Sequence, residues 1–344
     1  MKFNWRALLV LPVLAGAIAL FVFHGPNWHQ VHDAFTVVRW EWVVAAIGLN
    51  LLSVVTRALA WDTTIKQSIA TPQLKFPLVF SAFSVGLFAN AVLPGRVGEL
   101  ARVAVLRRRL PAARRGTTAT LIGSVFAHRM FDVPPTATLV VFVLATARLP
   151  GWALGSIAGA LGIGVLLMGA AIVLARRQHR ELHELGRIRL LLARGREGLT
   201  ILRTPRAAAT AVSFQYMGWF CQLLAVWAAM RAFHIYQPLS VAGLVLVLIN
   251  VVTIIPFWPG NVGVVQIAIA TSLVGYDVAY ARGFAFGIGL QAIEASVGVG
   301  VGLIFLAREG LSYATLRELE QPVEALSQES PGQEREPERA GVSG

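Results

Sequence analysis

Long apolar segments separated by short polar loops run through most of the chain. Six of them are long enough to cross a bilayer as α-helices, which takes about 20 residues each. They are Ala7 to Phe23, Trp42 to Trp61, Thr117 to Ala147, Trp152 to Ala175, Ala207 to Met230 and Gly283 to Ala307. Two further segments, roughly Leu78 to Leu106 and Leu239 to Val274, carry Pro-Gly breaks near their middles. The pattern predicts an all-α polytopic membrane protein with about six full transmembrane helices and two broken segments.

The two broken segments share a motif. The first reads N-A-V-L-P-G-R-V-G-E-L-A-R from Asn90 to Arg102, and the second reads P-F-W-P-G-N-V-G-V-V-Q from Pro256 to Gln266. Four positions recur at a constant offset of 165, and the pairs are Pro94 with Pro259, Gly95 with Gly260, Val97 with Val262 and Gly98 with Gly263. The recurrence predicts a transmembrane domain of residues 1–310 built from two repeats, about 1–150 and 151–310.

Positive charge gathers in two loops. The stretch from Arg176 to Arg206 contains nine arginines. The loop after the first broken segment contains Arg107, Arg108, Arg109, Arg114 and Arg115. The positive-inside rule places both loops in the cytoplasm.

This placement decides the topology. With Lys66 and Lys75 also inside, the first broken segment begins and ends on the cytoplasmic side as a re-entrant hairpin, and the second enters and leaves from the outer face. Each half then crosses the membrane three times, so the halves have opposite orientations and form an inverted repeat, as in many transporters. The alternative is that each broken segment is an ordinary Pro-kinked span.

Composition agrees with this class and limits the partners. Of 344 residues, 56% are hydrophobic and 14% are charged, against about 45–50% and about 25% in soluble domains. The arginine-rich loops explain the net charge of +12, which therefore predicts topology and no nucleic-acid partner. The single cysteine, Cys221, allows neither an internal disulfide nor a cysteine-based metal site.

Both ends of the chain are expected to lie in the cytoplasm. The first apolar run continues past Ala15-Gly-Ala17, which favours an uncleaved span over a signal peptide. Residues 311–344 form a polar tail, and its part from Gln321 to Gly344, rich in Glu, Pro, Ser and Gly, is expected to be disordered. No globular catalytic domain is expected at either end.

Arg96, Glu99 and Arg102 follow the first break at spacings of three, so a helix presents them on one face. Charged groups in an apolar setting are costly and usually face a bundle interior or a cavity. In a functional interpretation the arginines hold a phosphate or another anionic head group, and Glu99 orients an arginine or receives an ammonium group. In a structural interpretation the three residues form an internal ion pair that closes the hairpin.

A second cluster, H-R-M-F-D, places His128, Arg129 and Asp132 inside the span that starts at Thr117. Arg129 and Asp132 are three apart and can pair with each other across one helical turn. The offset of 165 relates Arg129 to Glu294, so opposite charges stand at equivalent positions of the two halves. Brought together near a pseudo-twofold axis, Arg129 and Glu294 could form a gate or a proton relay. The alternative role for Arg129 and Asp132 is a buried pair that only neutralises itself.

Uncharged polar residues stand beside the breaks. Asn90, Asn250, Asn261 and Gln266 either line a cavity or satisfy backbone groups freed by the prolines. Arg57 lies near the end of its span and is expected to extend to the interface. No metal and no cofactor are expected, because the histidines of the first loop are typical of a solvated cluster and neither a P-loop nor a zinc-hydrolase motif is present.

The two break motifs and H-R-M-F-D resemble the membrane domain of lysylphosphatidylglycerol synthases, also called the flippase-like or UPF0104 family, over about residues 5 to 310. The resemblance implies a polytopic inner-membrane protein that moves lipids between leaflets. It does not imply synthesis of lysylphosphatidylglycerol, because the aminoacyl-transfer domain of the full-length synthases is not expected here.

The chain departs from the family pattern at three positions. His128 stands where the family's E-R-x-x-D motif has Glu, and Asn261 and Gln266 replace the second Gly and the Glu of P-G-G-x-G-x-x-E. The loss of two acidic residues makes the interior less acidic. An anionic head group is therefore favoured over a cationic one.

The leading hypothesis is a flippase-like lipid translocase of the cell inner membrane. Its substrate is expected to be a phospholipid or lipid-linked head group, and covalent catalysis is not expected. The residues expected to recognise and gate the substrate are Arg96, Glu99, Arg102, Arg129, Asp132 and Glu294. Two alternatives are an integral-membrane transferase that uses the same charges as acid and base, and a non-transporting scaffold for a lipid-pathway enzyme.

Overall fold

The computed structural model describes residues 26–69, 74–92, 98–110, 117–148, 204–253 and 261–308, together with positions 151, 155, 159, 162 and 201. Within these ranges the protein is all-helical and has no strand. We label the helices in chain order as α1 (Trp28–Thr36), α2 (Trp40–Ser68), α3 (Phe76–Val92), α4 (Gly98–Arg109), α5 (Thr117–Met130), α6 (Val133–Thr146), α7 (Pro205–Ala232), α8 (Leu239–Val252), α9 (Val264–Val274) and α10 (Tyr280–Arg308).

The long helices confirm the prediction of a helical, multi-pass membrane protein. Three stretches are long and apolar enough to cross a bilayer: α2, residues 120–146 across α5 and α6, and α10. Helix α7 has 28 residues, almost the length of α2 and α10. Some predicted features lie outside the described residues, and these are the span from Ala7 to Phe23, most of the stretch from Trp152 to Arg206, and the tail of residues 311–344.

The predicted span from Thr117 to Ala147 consists of two helices. A turn at Phe131 and Asp132 separates α5 from α6, and two prolines, Pro134 and Pro135, stand in the first turn of α6. Proline suits this position because the first residues of a helix have no intrahelical partner for their N–H groups. The turn places Asp132 at the junction of the two helices.

Each Pro-Gly break separates two helices that pack against each other. Helices α3 and α4 contact along the first break, and α8 and α9 contact along the second. At the far end of the second pair, Gln237 donates from Nε2 to the carbonyl oxygen of Tyr276 at 3.0 Å. The residues just before α8 and just after α9 therefore meet, so this pair folds back on itself as a helical hairpin.

Helices α2 and α7 form the most extensive helix pair. Their contacts run in opposite sequence directions, since the N–H of Arg39 donates to the carbonyl of Ala232 while Ser53 donates to Gln222. The two helices are therefore antiparallel. One hydrophobic cluster lies around α7 to α10 and includes Phe284 and Phe286, and a second lies around α2 to α5 and includes Trp61.

Candidate functional site

The first helical hairpin is closed by a side-chain cap. Asn90, near the end of α3, accepts a hydrogen bond at Oδ1 from the N–H of Gly98, the first residue of α4, at 2.8 Å. Gly98 itself lies against the backbone of Gly86, and this close approach leaves no room for a side chain. The hairpin holds Glu99 and Arg102, on the first two turns of α4, beside α5.

Four charged side chains form one continuous network at this hairpin. Glu99 is paired with Arg102 of its own helix and with Arg129 of α5. Arg129 also donates from Nη1 to Oδ2 of Asp132 at 3.2 Å. The spacing of three correctly indicated the pairs within each helix, whereas the Glu99–Arg129 pair between helices joins residues 30 positions apart.

Asp132 links this network to α7. Its Oδ1 accepts a hydrogen bond from the indole N–H of Trp219 at 3.0 Å. Because the turn between α5 and α6 frees Asp132 from a regular helix, its two oxygens reach Arg129 and Trp219 at once. Trp219 is a site residue that sequence reasoning missed, since an apolar helix gives no reason to single out one tryptophan.

Arg102 is the most deeply buried charge in the network, with 3% of the residue exposed. Its guanidinium lies over the ring of Trp61 at 4.6 Å and over Phe83 at 5.6 Å. Aromatic faces carry negative potential and stabilise a cation that is removed from water. Arg102 is therefore held by one carboxylate and two rings.

Arg57 belongs to the same site, and the expectation that it extends to the interface is wrong. Its guanidinium lies 4.8 Å from the ring centroid of Trp219. Its charge interacts with Asp132, Arg129 and Glu294. The signal that sequence reasoning missed is the repeat itself, because the offset of 165 relates Arg57 to the polar Gln222 in the corresponding apolar helix.

Arg57 and the four side chains of the charged network line a cavity of about 40 Å³. A polar cavity of this size holds a few water molecules at most. Among the described residues, the charged groups on its wall are three arginines and two carboxylates, namely Arg57, Arg102, Arg129, Glu99 and Asp132. One positive charge is therefore in excess, which favours an anion.

His128 and Asn90 are uncharged polar residues on the same wall. His128 is 2% exposed, and its ring meets Phe83 edge to face. Gln215 of α7 donates to the carbonyl of His128 at 3.3 Å. His128 therefore joins α5 to α7 behind the charged network.

The side chains of Asn261 and Gln266 bond to backbone groups of the second hairpin, and Gln266 also bonds to α10. Asn261 donates to the carbonyl of Val252 at 3.0 Å, and Gln266 accepts from the N–H of Gly263 and donates to Gln291. Gly263 has φ of 92°, a conformation that glycine adopts most readily. Of the two roles considered for Asn261 and Gln266, the backbone role is the one the structure shows.

Glu294 lies in a separate polar chain. Gln222 of α7 donates to Glu294 of α10 at 3.3 Å and accepts from Ser53 of α2 at 3.3 Å. Arg129 is paired with Glu99 and Asp132, so no direct Arg129–Glu294 pair is present in the described structure. Among the described residues, the charge of Arg57 interacts with Arg129 and Asp132 of the first network and with Glu294 of the second.

Five predicted site residues lie outside the described ranges. They are Pro94, Gly95 and Arg96 of the first break and Pro259 and Gly260 of the second. Their roles stay predictions.

An all-helical membrane protein with a charged cavity beside a broken helix belongs to a class whose polar interior sites serve membrane-embedded substrates or ions. The chain belongs to the lysylphosphatidylglycerol synthase transmembrane-region family, whose model matches residues 5–302. It is accordingly a multi-pass membrane protein of lipid metabolism or transport. Comparison with curated proteins and with solved structures gave no match.

Proposed function

We propose that the protein is a translocase that moves a lipid with an anionic head group between the leaflets of the inner membrane. The observation that carries the proposal is the network of the buried Arg102 with Glu99, Arg129 and Asp132, which lines a cavity at a break in a helix. Intramembrane charges that line a cavity usually mark a substrate path. Family membership supports lipid as the substrate class.

An inverted repeat supports this function, because it gives two related states that face opposite sides of the membrane. Helices α2 and α7 begin at Trp40 and Pro205, an offset of 165. The starts of the next three corresponding pairs, α3 and α8, α4 and α9, and α5 and α10, differ by 163, 166 and 163. The helix pattern thus repeats along the chain with the offset of the break motifs.

Contacts between α2 and α7 support the inversion. Ser53 is hydrogen-bonded to Gln222, and Cγ of Arg57 lies 2.8 Å from the Cβ position of Gly218. In the repeat, Ser53 corresponds to Gly218 and Arg57 corresponds to Gln222. The Ser53–Gln222 contact is therefore equivalent to the Gly218–Arg57 contact. Because equivalent helices meet antiparallel, a twofold axis that relates them is perpendicular to them and lies in the membrane plane.

The helix pairs at the breaks support re-entrant segments over kinked spans. Gly86, near the middle of α3, lies against Gly98 and against Cβ of Arg102 on the first two turns of α4, so α4 runs back along α3. In a single kinked span, α4 would continue away from the middle of α3. The hydrogen bond between Gln237 and Tyr276 joins the corresponding ends of the second hairpin.

The size of the cavity implies a gate. At about 40 Å³ it is too small for a lipid head group. Admission of a head group then requires the α3–α4 hairpin to move from α5, and the Glu99–Arg129 pair is the charged contact between them. In this proposal the pair opens during transport and re-forms after release.

Leaflet exchange in liposomes tests the proposal. Purified protein is reconstituted with fluorescent phosphatidylglycerol or phosphatidylethanolamine, and dithionite quenching follows exchange. We expect faster exchange of phosphatidylglycerol, and its loss in Arg102→Gln but not in the matched control Arg282→Gln, which changes an exposed arginine of α10. If neither lipid exchanges and a labelled lipid is chemically modified instead, the transferase alternative replaces the translocase.

A further inference from the structure

The three arginines of the cavity differ in how their charges are compensated. Arg129 is paired with two carboxylates, those of Glu99 and Asp132. Arg102 is paired with Glu99 alone, and its buried Nε has no hydrogen-bond partner among the described residues. Arg57 is in no ion pair within the described part of the chain, and its buried Nε is likewise without a partner there. Arg57 and Arg102 thus each have an N–H group that donates to no described residue.

A buried arginine without a counter-ion is costly. Removing one partner of a buried pair typically destabilises a protein by about 3–5 kcal/mol, whereas a cation–π contact such as that of Arg57 with Trp219 contributes about 0.5–2 kcal/mol. Aromatic stacking alone therefore does not offset the burial of this charge. A charged side chain whose burial is not offset by its contacts is more typical of a binding site than of a structural contact.

The geometry points to a phosphate-binding subsite formed by Arg57 and Arg102, with Arg129 held by its carboxylates and not bound to the phosphate. Both side chains line the same cavity. The planar guanidinium donates two parallel hydrogen bonds to phosphate oxygens, a geometry that lysine lacks. The subsite deepens the proposed function, on which it rests for the lipid attached to the phosphate.

The two carboxylates define the specificity of this subsite. Glu99 and Asp132 hold Arg129 and also border the cavity. A second phosphate or a carboxylate on the ligand would face their negative charge. We therefore expect a phosphate diester with neutral hydroxyl groups to bind better than a phosphate monoester with higher charge.

Binding to the purified full chain in detergent tests the subsite without a transport assay. Titration calorimetry compares dihexanoyl phosphatidylglycerol with dihexanoylglycerol, which lacks the phosphate. We expect only the phospholipid to bind, and Arg57→Gln and Arg102→Gln each to weaken binding about tenfold or more, because charge-assisted hydrogen bonds are lost. Arg129→Gln should weaken binding less than either of these variants, because it removes a nearby positive charge but no donor to the phosphate, and Arg282→Gln should leave it unchanged. Equal weakening by Arg129→Gln and Arg57→Gln, or none by Arg57→Gln, overturns the assignment.

Glycerol 1-phosphate distinguishes the source of the phosphate. If it binds with the same dependence on Arg57 and Arg102, phosphate suffices in free or lipid form. Binding of phosphatidylglycerol alone supports a subsite for the phosphate diester of a lipid and excludes the free monoester as its ligand. If only glycerol 1-phosphate binds, the phosphate subsite stands and the lipid translocase is wrong, so the two proposals fail separately.

Thermal stability separates loss of binding from misfolding. Arg57→Gln removes a charge that has no ion-pair partner among the described residues, so the ligand-free variant should melt at the temperature of the wild type or above it, while stabilisation by phosphatidylglycerol disappears. A purely structural role for Arg57 predicts the reverse, a lower melting temperature with ligand stabilisation retained. That result would refute the subsite.

Discussion

Gly86 of α3 and Gly98 of α4 face each other so closely that a Cβ atom built on Gly98 would lie 2.0 Å from the carbonyl oxygen of Gly86. The same atom would lie 2.6 Å from Cγ of Asn90, whose amide oxygen caps α4. No rotamer change relieves a clash with backbone. The hairpin geometry that presents Glu99 and Arg102 therefore depends on glycine at position 98.

Gly98→Ala should destabilise the protein by about 3 kcal/mol, the upper part of the range for overpacking, because the alanine methyl group pushes α3 from α4. The melting temperature in detergent measures the effect. The control is Gly48→Ala, since Gly48 lies in α2 with no atom within 4 Å of its Cβ position. That change should stabilise the helix by about 0.5–1 kcal/mol. Equal melting temperatures for the two variants would contradict the close approach.

Glu99→Gln should be among the most destabilising changes at the site. It removes the carboxylate shared by Arg102 and Arg129, and Arg102, with 3% of the residue exposed, would keep an unpaired charge. Breaking a buried ion pair costs about 3–5 kcal/mol. Unfolding in SDS measures the free energy. Glu41→Gln is the matched control, because its pair with Arg39 is exposed and should matter little.

Trp219→Phe tests the link between Asp132 and α7. The change keeps an aromatic face for Arg57 and removes the N–H that donates to Asp132. Hydrogen bonds to charged groups contribute about 1.5–3 kcal/mol, and the unfolding free energy should fall by that amount. Trp227→Phe is the control, since Trp227 also lies under an arginine, Arg231, and donates to no described acceptor. If both variants lose the same stability, the hydrogen bond is not what stabilises the network.

The sequence predicted most of the long helices and part of the site, because helices depend on local properties and the site depends on packing between helices. The predicted span from Gly283 to Ala307 corresponds to α10, Tyr280–Arg308, because hydrophobic length is a local property. The Arg129–Asp132 pair followed from a spacing of three within one chain segment. The Glu99–Arg129 pair did not, because it depends on how the hairpin docks against α5.

Arg57 shows the limit of local patterns more clearly. An arginine near the end of an apolar helix is compatible with both an interfacial and an interior position, and only packing against α7 decides between them. The contact with Trp219 of α7 places Arg57 in the interior. The repeat made Arg129 and Glu294 a candidate gate, yet in the described structure each of them has other partners.

Separate networks for Arg129 and Glu294 predict additive effects. Glu294→Gln removes the charge near Gln222, and Arg129→Gln breaks the pairs with Glu99 and Asp132. Because the described structure shows no direct contact between Arg129 and Glu294, the double variant should lose the sum of the two single effects within about 0.5 kcal/mol. Unfolding in SDS provides the three free energies. A coupling well above that value would indicate the direct gate that their matched positions suggested.

Cysteine labelling tests the inverted topology directly. In a Cys221→Ala background, single cysteines replace Lys75 and Arg108, which flank the first hairpin and are exposed. If α3 and α4 form a re-entrant hairpin, an impermeant maleimide labels both positions from the same side of the membrane. Two kinked half-spans would instead expose them on opposite sides.

The second hairpin provides the other half of this test. Tyr236 precedes α8 and Asp277 follows α9, and both are exposed. If the two repeats are inverted, cysteines at these two positions also share one side, and it is the side opposite to that of Lys75 and Arg108. If all four positions are labelled from the same side, the hairpins are re-entrant but the repeats are parallel. The proposed translocase would then lack the two opposite-facing states that an inverted repeat provides.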